Sequence, residues 1–183
     1  MLRSLRTARL LLRPFELDDV DEAATYRNDQ EFARYLPHIP QPFTRRDAEE
    51  FVARNMNEPW QQYPTFAIVL DGKLIGTVNL EIDADHQIAM LGYAIGREHW
   101  GRGLATEAAR AAIAWAFEIF GVAKIWASTD ARNVASRRVM EKLGMQPEAL
   151  LRSHEIGRDG RADKVMYGLL RDEWTASKGQ AGR

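Results

Sequence analysis

The sequence predicts an α/β (α+β) fold, in which helices pack on a mixed, mostly antiparallel sheet of six to seven strands. Three apolar segments separated by short turns occupy residues 65–95, a long amphipathic helix follows them, and a strand-like run follows that helix. Short turns join antiparallel strands, whereas a helix between two strands favours a right-handed parallel crossover. We expect one domain over residues 1–175 and a disordered tail over 176–183.

The first third of the chain predicts one strand and two helices. A leucine-rich run closed by a proline predicts a strand over 9–15, and an aspartate then caps a helix over 20–28. Three prolines within 37–42 prevent regular structure. A second helix over 44–57 begins with a threonine cap and carries an acidic residue in its first turn.

The three segments of the predicted meander differ in how strongly they indicate strands. Residues 65–70, T-F-A-I-V-L, are β-branched and aromatic. Asp71 and Gly72 form a strong hairpin signal that leads into a second strand over 73–82. The third strand, over 88–95, runs directly into a glycine-containing loop.

The second half of the chain alternates helices and strands. Alanines and aromatic residues at helical spacing predict a helix over 104–120 that packs on the sheet. A buried-looking strand follows over 124–129, and then a helix over 134–143. Two last strands are expected over 146–155 and 162–170.

Composition excludes several classes of function. The chain has 183 residues, 45% of them hydrophobic, and a formal net charge of −1, which disfavours a general nucleic-acid binder. The absence of cysteine removes thiolate metal sites and a cysteine nucleophile, and no metal is expected. No apolar stretch reaches signal-peptide or membrane-span length, so we expect a cytoplasmic protein without a membrane partner.

The segment W-G-R-G-L-A-T-E-A at 100–108 is the strongest candidate for a binding site. Gly101 and Gly103 allow a tight turn, and the start of the following helix directs unpaired amides and a positive dipole end at the loop. Arg102 adds a cation. The spacing matches neither the Walker loop nor the dinucleotide fingerprint. An anion site, with pyrophosphate as the leading ligand, competes with a plain packing turn.

The chain resembles the GNAT acetyltransferases in the order and spacing of three features: the meander, this loop and the downstream segment N-V-A-S-R-R-V-M-E-K-L-G-M. More narrowly, the chain is similar to the RimJ/RimL-type group, which acetylates protein N-termini. The resemblance covers nearly the whole chain, from R-L-L-L-R-P-F to Y-G-L-L-R-D-E-W. It implies a GNAT fold with helices on both sheet faces and a central splayed pair of parallel strands, whose gap would hold the thioester of acetyl-CoA.

The resemblance also implies the residues that would bind acetyl-CoA. The loop amides would hold the pyrophosphate, the preceding strand the pantetheine arm, and the start of the next helix the pantetheine and the sulfur. The implied residues are Ala94, Ile95, Gly101, Arg102, Gly103, Leu104, Ala105, Thr106, Asn133 and Ser136. Trp100 fits the RimJ-like group, whereas Met90 stands where a related pattern often has glutamate.

The chemistry needs a neutral amine, a stabilised oxyanion and a proton for the departing thiolate. By family position the base is Glu155, with Glu81 and His154 in reserve, although a solvated carboxylate is the simpler reading of Glu155. The acid would be Ser136. Asn133 and Ser136 are equally typical of a helix cap.

The acceptor side is less defined. Four aromatic residues either line a pocket for the acceptor or fill the core: Phe32, Tyr35, Trp60 and Tyr63. The resemblance also implies that Asp163 and Tyr167 lie near the acceptor cleft. We expect acetyl transfer from acetyl-CoA to a primary amine by direct attack, in a monomer or homodimer. The alternatives are a CoA-binding sensor that lacks turnover and a succinyl-CoA enzyme, whose extra carboxylate would meet Arg34, Arg45 and Arg46.

Overall fold

The computed structural model describes the backbone of residues 3–180 and the side chains of 3–176. The strands are β1 (Leu5–Arg6), β2 (Leu11–Arg13), β3 (Thr65–Leu70), β4 (Lys73–Asp83), β5 (Ile88–Ile95), β6 (Lys124–Asp130), β7 (Gln146–Gly157) and β8 (Gly160–Leu170). The α-helices are α1 (Val20–Arg27), α2 (Gln30–Ala33), α3 (Arg45–Asn57), α4 (Leu104–Ile119), α5 (Val134–Lys142) and α6 (Arg171–Gln180). The strands form one sheet in the order β1-β2-β3-β4-β5-β6-β8-β7.

The predicted meander and crossover are confirmed, and the differences lie in the first third and at the C-terminal end of the chain. Within residues 3–180 the sheet has eight strands: β2 lies inside the predicted first strand over 9–15, whereas β1, which pairs antiparallel with it, is a strand that the sequence did not predict. The proline-rich region is preceded by a single helical turn, α2, which the side chain of Asp29 caps by accepting the Phe32 N–H. Residues 176–180 belong to α6 where a disordered tail was expected, and 181–183 lie outside the described residues.

Helices cover both faces of the sheet, as the alternation of β3 shows. Its side chains are buried throughout: Phe66 and Ile68 join the core beneath α4, whereas Ala67 and Val69 join a second core beneath α1 and α3. Residues two apart in a strand share a face, so this strand contributes to both layers. Within residues 3–180, no helix is long and apolar enough to span a membrane.

The centre of the sheet opens because β5 and β6, the one parallel pair within residues 3–180, separate along their length. β5 and β6 are paired from Ile88 with Lys124 to Met90 with Trp126, and the pairing ends there. Beyond that point β5 stays paired with β4, and β6 stays paired with β8. The rest of the two strands leaves a gap with one free strand edge on each side. This is the splayed pair that the family resemblance implies.

Candidate active site

A glycine loop connects the open end of β5 to α4. Gly101 and Gly103 have φ of +72° and +75°, a region in which a side chain is strained. Gly103 is the N-cap of α4 and has no side chain to cap it. The first-turn amides of a helix have no partner within the helix. The loop therefore has the backbone N–H groups and the helix dipole that an anion site needs, and binding of an anion there stays a prediction.

Arg9 and Glu107 hold this loop against the N-terminal hairpin. Glu107, in the first turn of α4, accepts hydrogen bonds from Thr7 Oγ1 at 2.6 Å and from Arg9 Nε at 2.7 Å. Arg9 Nη1 also donates to the Arg102 carbonyl at 3.0 Å. Burial alone would raise the pKa of Glu107, but the hydrogen bonds from Thr7 and Arg9 outweigh it, and the pKa is lowered.

Replacing Glu107 with glutamine is expected to lower the free energy of unfolding above pH 5 by about 1.5–3 kcal/mol, the value of a hydrogen bond to a charged group. Because the folded pKa of Glu107 lies below its unfolded value, its contribution is full above the usual glutamate pKa. That contribution is lost as the pH falls through the folded pKa, so the difference in Tm should narrow there. Glu118→Gln, at an exposed position of α4, is the control. A difference that stays constant with pH would contradict the assignment.

The edge of β5 that faces the gap is formed by odd-numbered residues. The Gln87 carbonyl accepts the Ala123 N–H on the β6 side, whereas the Gly96 N–H donates to Ile75 on the β4 side. Backbone groups alternate along a strand, so Tyr93 and Ile95 turn theirs to the gap and Ala94 turns its own to β4.

The end of this edge is closed by Trp100. Its indole Nε1 donates to the Ile95 carbonyl at 2.7 Å, which folds the loop back onto β5. Of the two strand residues predicted to bind pantetheine, Ile95 is placed at the gap and Ala94 is not. Tyr93 is the neighbouring position that faces the gap.

Two hydroxyl groups meet across the gap. The Tyr93 hydroxyl of β5 lies 3.0 Å from Ser136 Oγ and 3.0 Å from the Ser136 carbonyl on α5. Burial raises the pKa of Tyr93 to about 12, and the contact with Ser136 opposes this shift. The phenol is therefore protonated at neutral pH. The predicted acid Ser136 thus has a second hydroxyl as its partner.

Asn133 caps α5. Its Oδ1 accepts the Ser136 N–H at 3.1 Å, which is the capping role that its sequence position also allowed. The cap fixes the first turn of α5 and so the position of the Ser136 side chain.

Glu155 lies near the end of β7, opposite Ala162 of β8. Its Oε2 accepts a hydrogen bond from Lys164 Nζ at 2.7 Å, and its side chain is 26% exposed. Loss of hydration and nearby arginine charges lower the pKa of His38, and Glu155 is the carboxylate that opposes this shift. Glu155 therefore acts electrostatically on the segment that contains His38.

Known proteins share both this sequence pattern and this fold. The family profile described as the acetyltransferase (GNAT) domain matches residues 9–146, more than half of the chain. The chain belongs to the GNAT acetyltransferases. Its relatives in sequence and in fold are N-acetyltransferase enzymes.

Three proteins illustrate the likeness. The uncharacterized N-acetyltransferase p20 of Bacillus licheniformis is 32% identical over 178 residues, covering 94% of this chain and 99% of the relative. Spermidine N(1)-acetyltransferase of Escherichia coli K12 is 28% identical over 152 residues, covering 82% and 79%. The crystal structure of a GNAT acetyltransferase from Bacillus anthracis is 26% identical with a TM-score of 0.83, covering 92% of this chain and 99% of that one.

In this GNAT chain, residues 33–39 cross from α2 to the far side of the gap. Tyr35 donates its hydroxyl hydrogen to the Arg132 carbonyl, before α5, at 3.4 Å. Arg158, in the turn between β7 and β8, donates to the backbone carbonyls of Ala33 at 2.8 Å, Leu36 at 3.2 Å and Ile39. We call residues 33–39 the acceptor loop, because it connects α1 and α2 to the elements that carry Ser136 and Glu155.

Several predicted residues of this acetyltransferase lie away from the gap. Glu81 is opposite Met90, where the sheet is still closed, and its side chain is exposed. Asp163 accepts the Ser153 N–H at 2.7 Å and is exposed. His154 is exposed on β7. Tyr167, by contrast, lies opposite Ala127 in the part of β6 that is not paired with β5 and contributes to the raised pKa of Tyr93; it is buried and donates to Glu141 of α5 at 3.3 Å.

The predicted aromatic wall is not one cluster in this GNAT fold. Phe32 packs in the core beneath α1 and α3, whereas Trp60 packs against Phe66 and Trp115 beneath α4, on the other face of the sheet. Among the four aromatic residues, Tyr35 is the one whose described contact crosses to the start of α5.

Tyr93 and Arg158 are functional candidates that sequence reasoning missed in this acetyltransferase. Tyr93 had a signal, because a period of two along β5 places it on the same side as Leu91 and Ile95. Arg158 had none, because its three carbonyl partners are more than 115 residues away in the chain.

Proposed function

We propose that this chain transfers an acetyl group from acetyl-CoA to a primary amine by direct attack, without an acyl-enzyme. The observation that carries the proposal is the hydroxyl pair of Tyr93 and Ser136, 3.0 Å apart across a gap whose end leads into an amide-rich loop. A gap between strands admits an extended thioester arm, and the loop suits a pyrophosphate.

The donor would be held mainly by backbone groups. The amides from Gly101 to Thr106 would bind the pyrophosphate, with Arg102 as an exposed cation beside them. The gap-facing backbone of Tyr93 and the N–H of Ile95, whose carbonyl is bound by Trp100, would pair with the pantetheine arm in the manner of an added strand. The residues that surround the loop fit this group, because no side chain caps Gly103.

The reaction needs two proton transfers. The amine nitrogen attacks the thioester carbon, and the proton that it loses passes to Glu155, directly or through water. Backbone N–H groups on the free edge of β5 stabilise the oxyanion that forms. The carbon–sulfur bond then breaks, and the thiolate takes a proton from Ser136 Oγ, which Tyr93 orients and which regains its proton from solvent. CoA leaves as the thiol.

Replacing Glu155 with glutamine is expected to lower kcat/KM by about 10²-fold at pH 7, the lower end for general base catalysis. The deficit should shrink as the pH rises, because hydroxide can then accept the proton that the attacking amine loses in place of the carboxylate. The measurement is the pH dependence of CoA release.

Glu148→Gln is the matched control for this variant. Glu148 is also on β7 and is also paired with a lysine, with Lys124 Nζ at 2.6 Å. It should leave the pH profile unchanged. A Glu155→Gln deficit that is equal at all pH values would contradict the role as base.

The resemblance to the RimJ/RimL group favours a protein N-terminus as acceptor. The alternatives are small amines, including polyamines such as spermidine, which the name of the Escherichia coli relative gives. Measuring CoA release from acetyl-CoA with a panel of peptides and small amines tests the proposal. Tight binding of acetyl-CoA without release of CoA in the presence of any amine would overturn it.

The structure gives no support for a succinyl donor bound through the predicted arginines, because each is paired with a carboxylate. Arg34 pairs with Glu31, Arg45 with Asp21 and Glu49, and Arg46 with Glu50.

A further inference from the structure

The last residue of α1, Arg27, is a buried cation inside a cage of aromatic rings. The residue is 7% exposed. Its guanidinium carbon lies 3.9 Å from the ring centroid of Phe51 and 5.1 Å from that of Phe43, and the rings of Tyr26 and Phe32 are each 5.9 Å away. Cation–π contacts offset part of the cost of removing the charge from water.

Arg27 has no counter-ion within residues 3–176. No carboxylate forms an ion pair with it there, and its Nε is buried without a hydrogen-bond partner. Arg13, by contrast, has a counter-ion, because both of its Nη atoms donate to the carboxylate of Asp19, at 2.8 and 2.7 Å. A buried charge without such a partner is strongly unfavourable.

The surroundings of Arg27 are positive as well. The pKa of His38 is lowered first by loss of hydration and then by the charges of Arg27, Arg158 and Arg54. A single carboxylate, that of Glu155, opposes this shift among the main contributions. A second cation would be repelled from this region, whereas an anion would be attracted.

Arg27 is also linked through its backbone to the segment that follows the acceptor loop. The Gln41 side chain, just after the acceptor loop, donates to the Arg27 carbonyl at 2.9 Å. Arg158 fixes the same loop from the other side, and Tyr35 ties it to Arg132, before α5. The cage is therefore joined to the end of the segment that carries the acceptor loop, and the loop itself contacts the residues just before α5.

We propose that Arg27 binds a carboxylate of the acceptor, which is therefore an amino acid or peptide with a carboxylate close to its amine. This inference rests on the proposed function and narrows it. With Nε enclosed, the guanidinium offers its Nη end, and two parallel N–H donors match a planar carboxylate. A polyamine would meet three arginines here, so it does not fit this site.

The test compares an α-amino acid with its amide as acceptor, in the wild type and in Arg27→Met. The wild type should prefer the acid, and Arg27→Met should lower this preference in kcat/KM by about 10-fold or more, the value of a hydrogen bond to a charged group. Arg46→Met, which removes an exposed arginine of α3, should keep the preference.

Thermal unfolding separates this role from a structural one. Replacing a buried, unpaired charge with an apolar side chain should leave Tm unchanged or raise it. A lower Tm, together with an equal loss for the acid and the amide, would assign Arg27 to structure and overturn the inference.

Product binding gives a readout that does not depend on turnover. With the protein saturated with CoA, calorimetry compares an N-acetyl-amino acid with its amide. A preference for the acid that Arg27→Met abolishes supports the inference, and equal affinities in the wild type overturn it. If amines are acetylated but the acid is not preferred over the amide, the proposed function stands and this inference fails. If the preference is present but no amine is acetylated, the proposed function fails.

Discussion

Replacing Ser136 with alanine is expected to lower kcat by about 10²-fold, at the lower end for loss of a general acid. The departing thiolate would then have no hydroxyl donor from α5, while binding of acetyl-CoA through the loop would be retained. Tyr93→Phe keeps the ring and removes the partner 3.0 Å from Ser136 Oγ. We expect it to lower kcat by about 10-fold, because one orienting hydrogen bond of roughly 1–1.5 kcal/mol is lost.

The two variants should not be additive, because the hydroxyls act as one unit. Since the pKa of Tyr93 is about 12, the effect of Tyr93→Phe should be constant from pH 6 to 9. Thr25→Ala is the control, because it removes an exposed hydroxyl that donates to the Asp21 carbonyl at 2.8 Å within α1. Steady-state kinetics over pH tests this, and unchanged turnover in Ser136→Ala would show that the acid lies elsewhere.

Replacing Gly101 with valine is expected to weaken acetyl-CoA binding by about 100-fold, equivalent to two hydrogen bonds to a charged group. A side chain at a φ of +72° strains the loop, and the loop amides would lose their common direction towards the pyrophosphate. Isothermal titration calorimetry with CoA measures the loss.

Gly72→Val controls for strain. Gly72 has a φ of +81°, and a Cβ at either glycine would meet no atom within 4 Å. Both variants should therefore lose a similar stability of about 1–2 kcal/mol. If Gly72→Val weakened CoA binding as much as Gly101→Val, the effect would be general destabilisation rather than loss of a phosphate site.

The features that the sequence predicted correctly depend on short-range signals. The Asp71-Gly72 turn fixed the hairpin between β3 and β4, and the Thr44 cap with Asp47 fixed the start of α3. The Asn133 cap likewise fixed the start of α5. Each of these signals lies within three residues of the feature that it determines, so no knowledge of tertiary structure was needed.

The features that were missed depend on contacts between distant segments. Arg158 holds the acceptor loop through carbonyls that no side-chain pattern reveals. Arg34, Arg45 and Arg46 looked like a free basic set until the structure paired each with a carboxylate. Arg27, which ends an ordinary helix, became informative only when its aromatic neighbours from three other segments were in place.

Because β5 and β6 are paired over a short length, the sheet consists of two units that are joined at one end. Strands β1 to β5 form one unit and β6 to β8 the other, and three residue pairs, from Ile88–Lys124 to Met90–Trp126, join them through the ladder. Beyond Met90, the contact of Tyr93 with Ser136 is a side-chain bridge between the units. A pantetheine arm in the gap would then serve as a removable ninth strand, and the two halves of the enzyme would be most rigid relative to each other while the donor is bound.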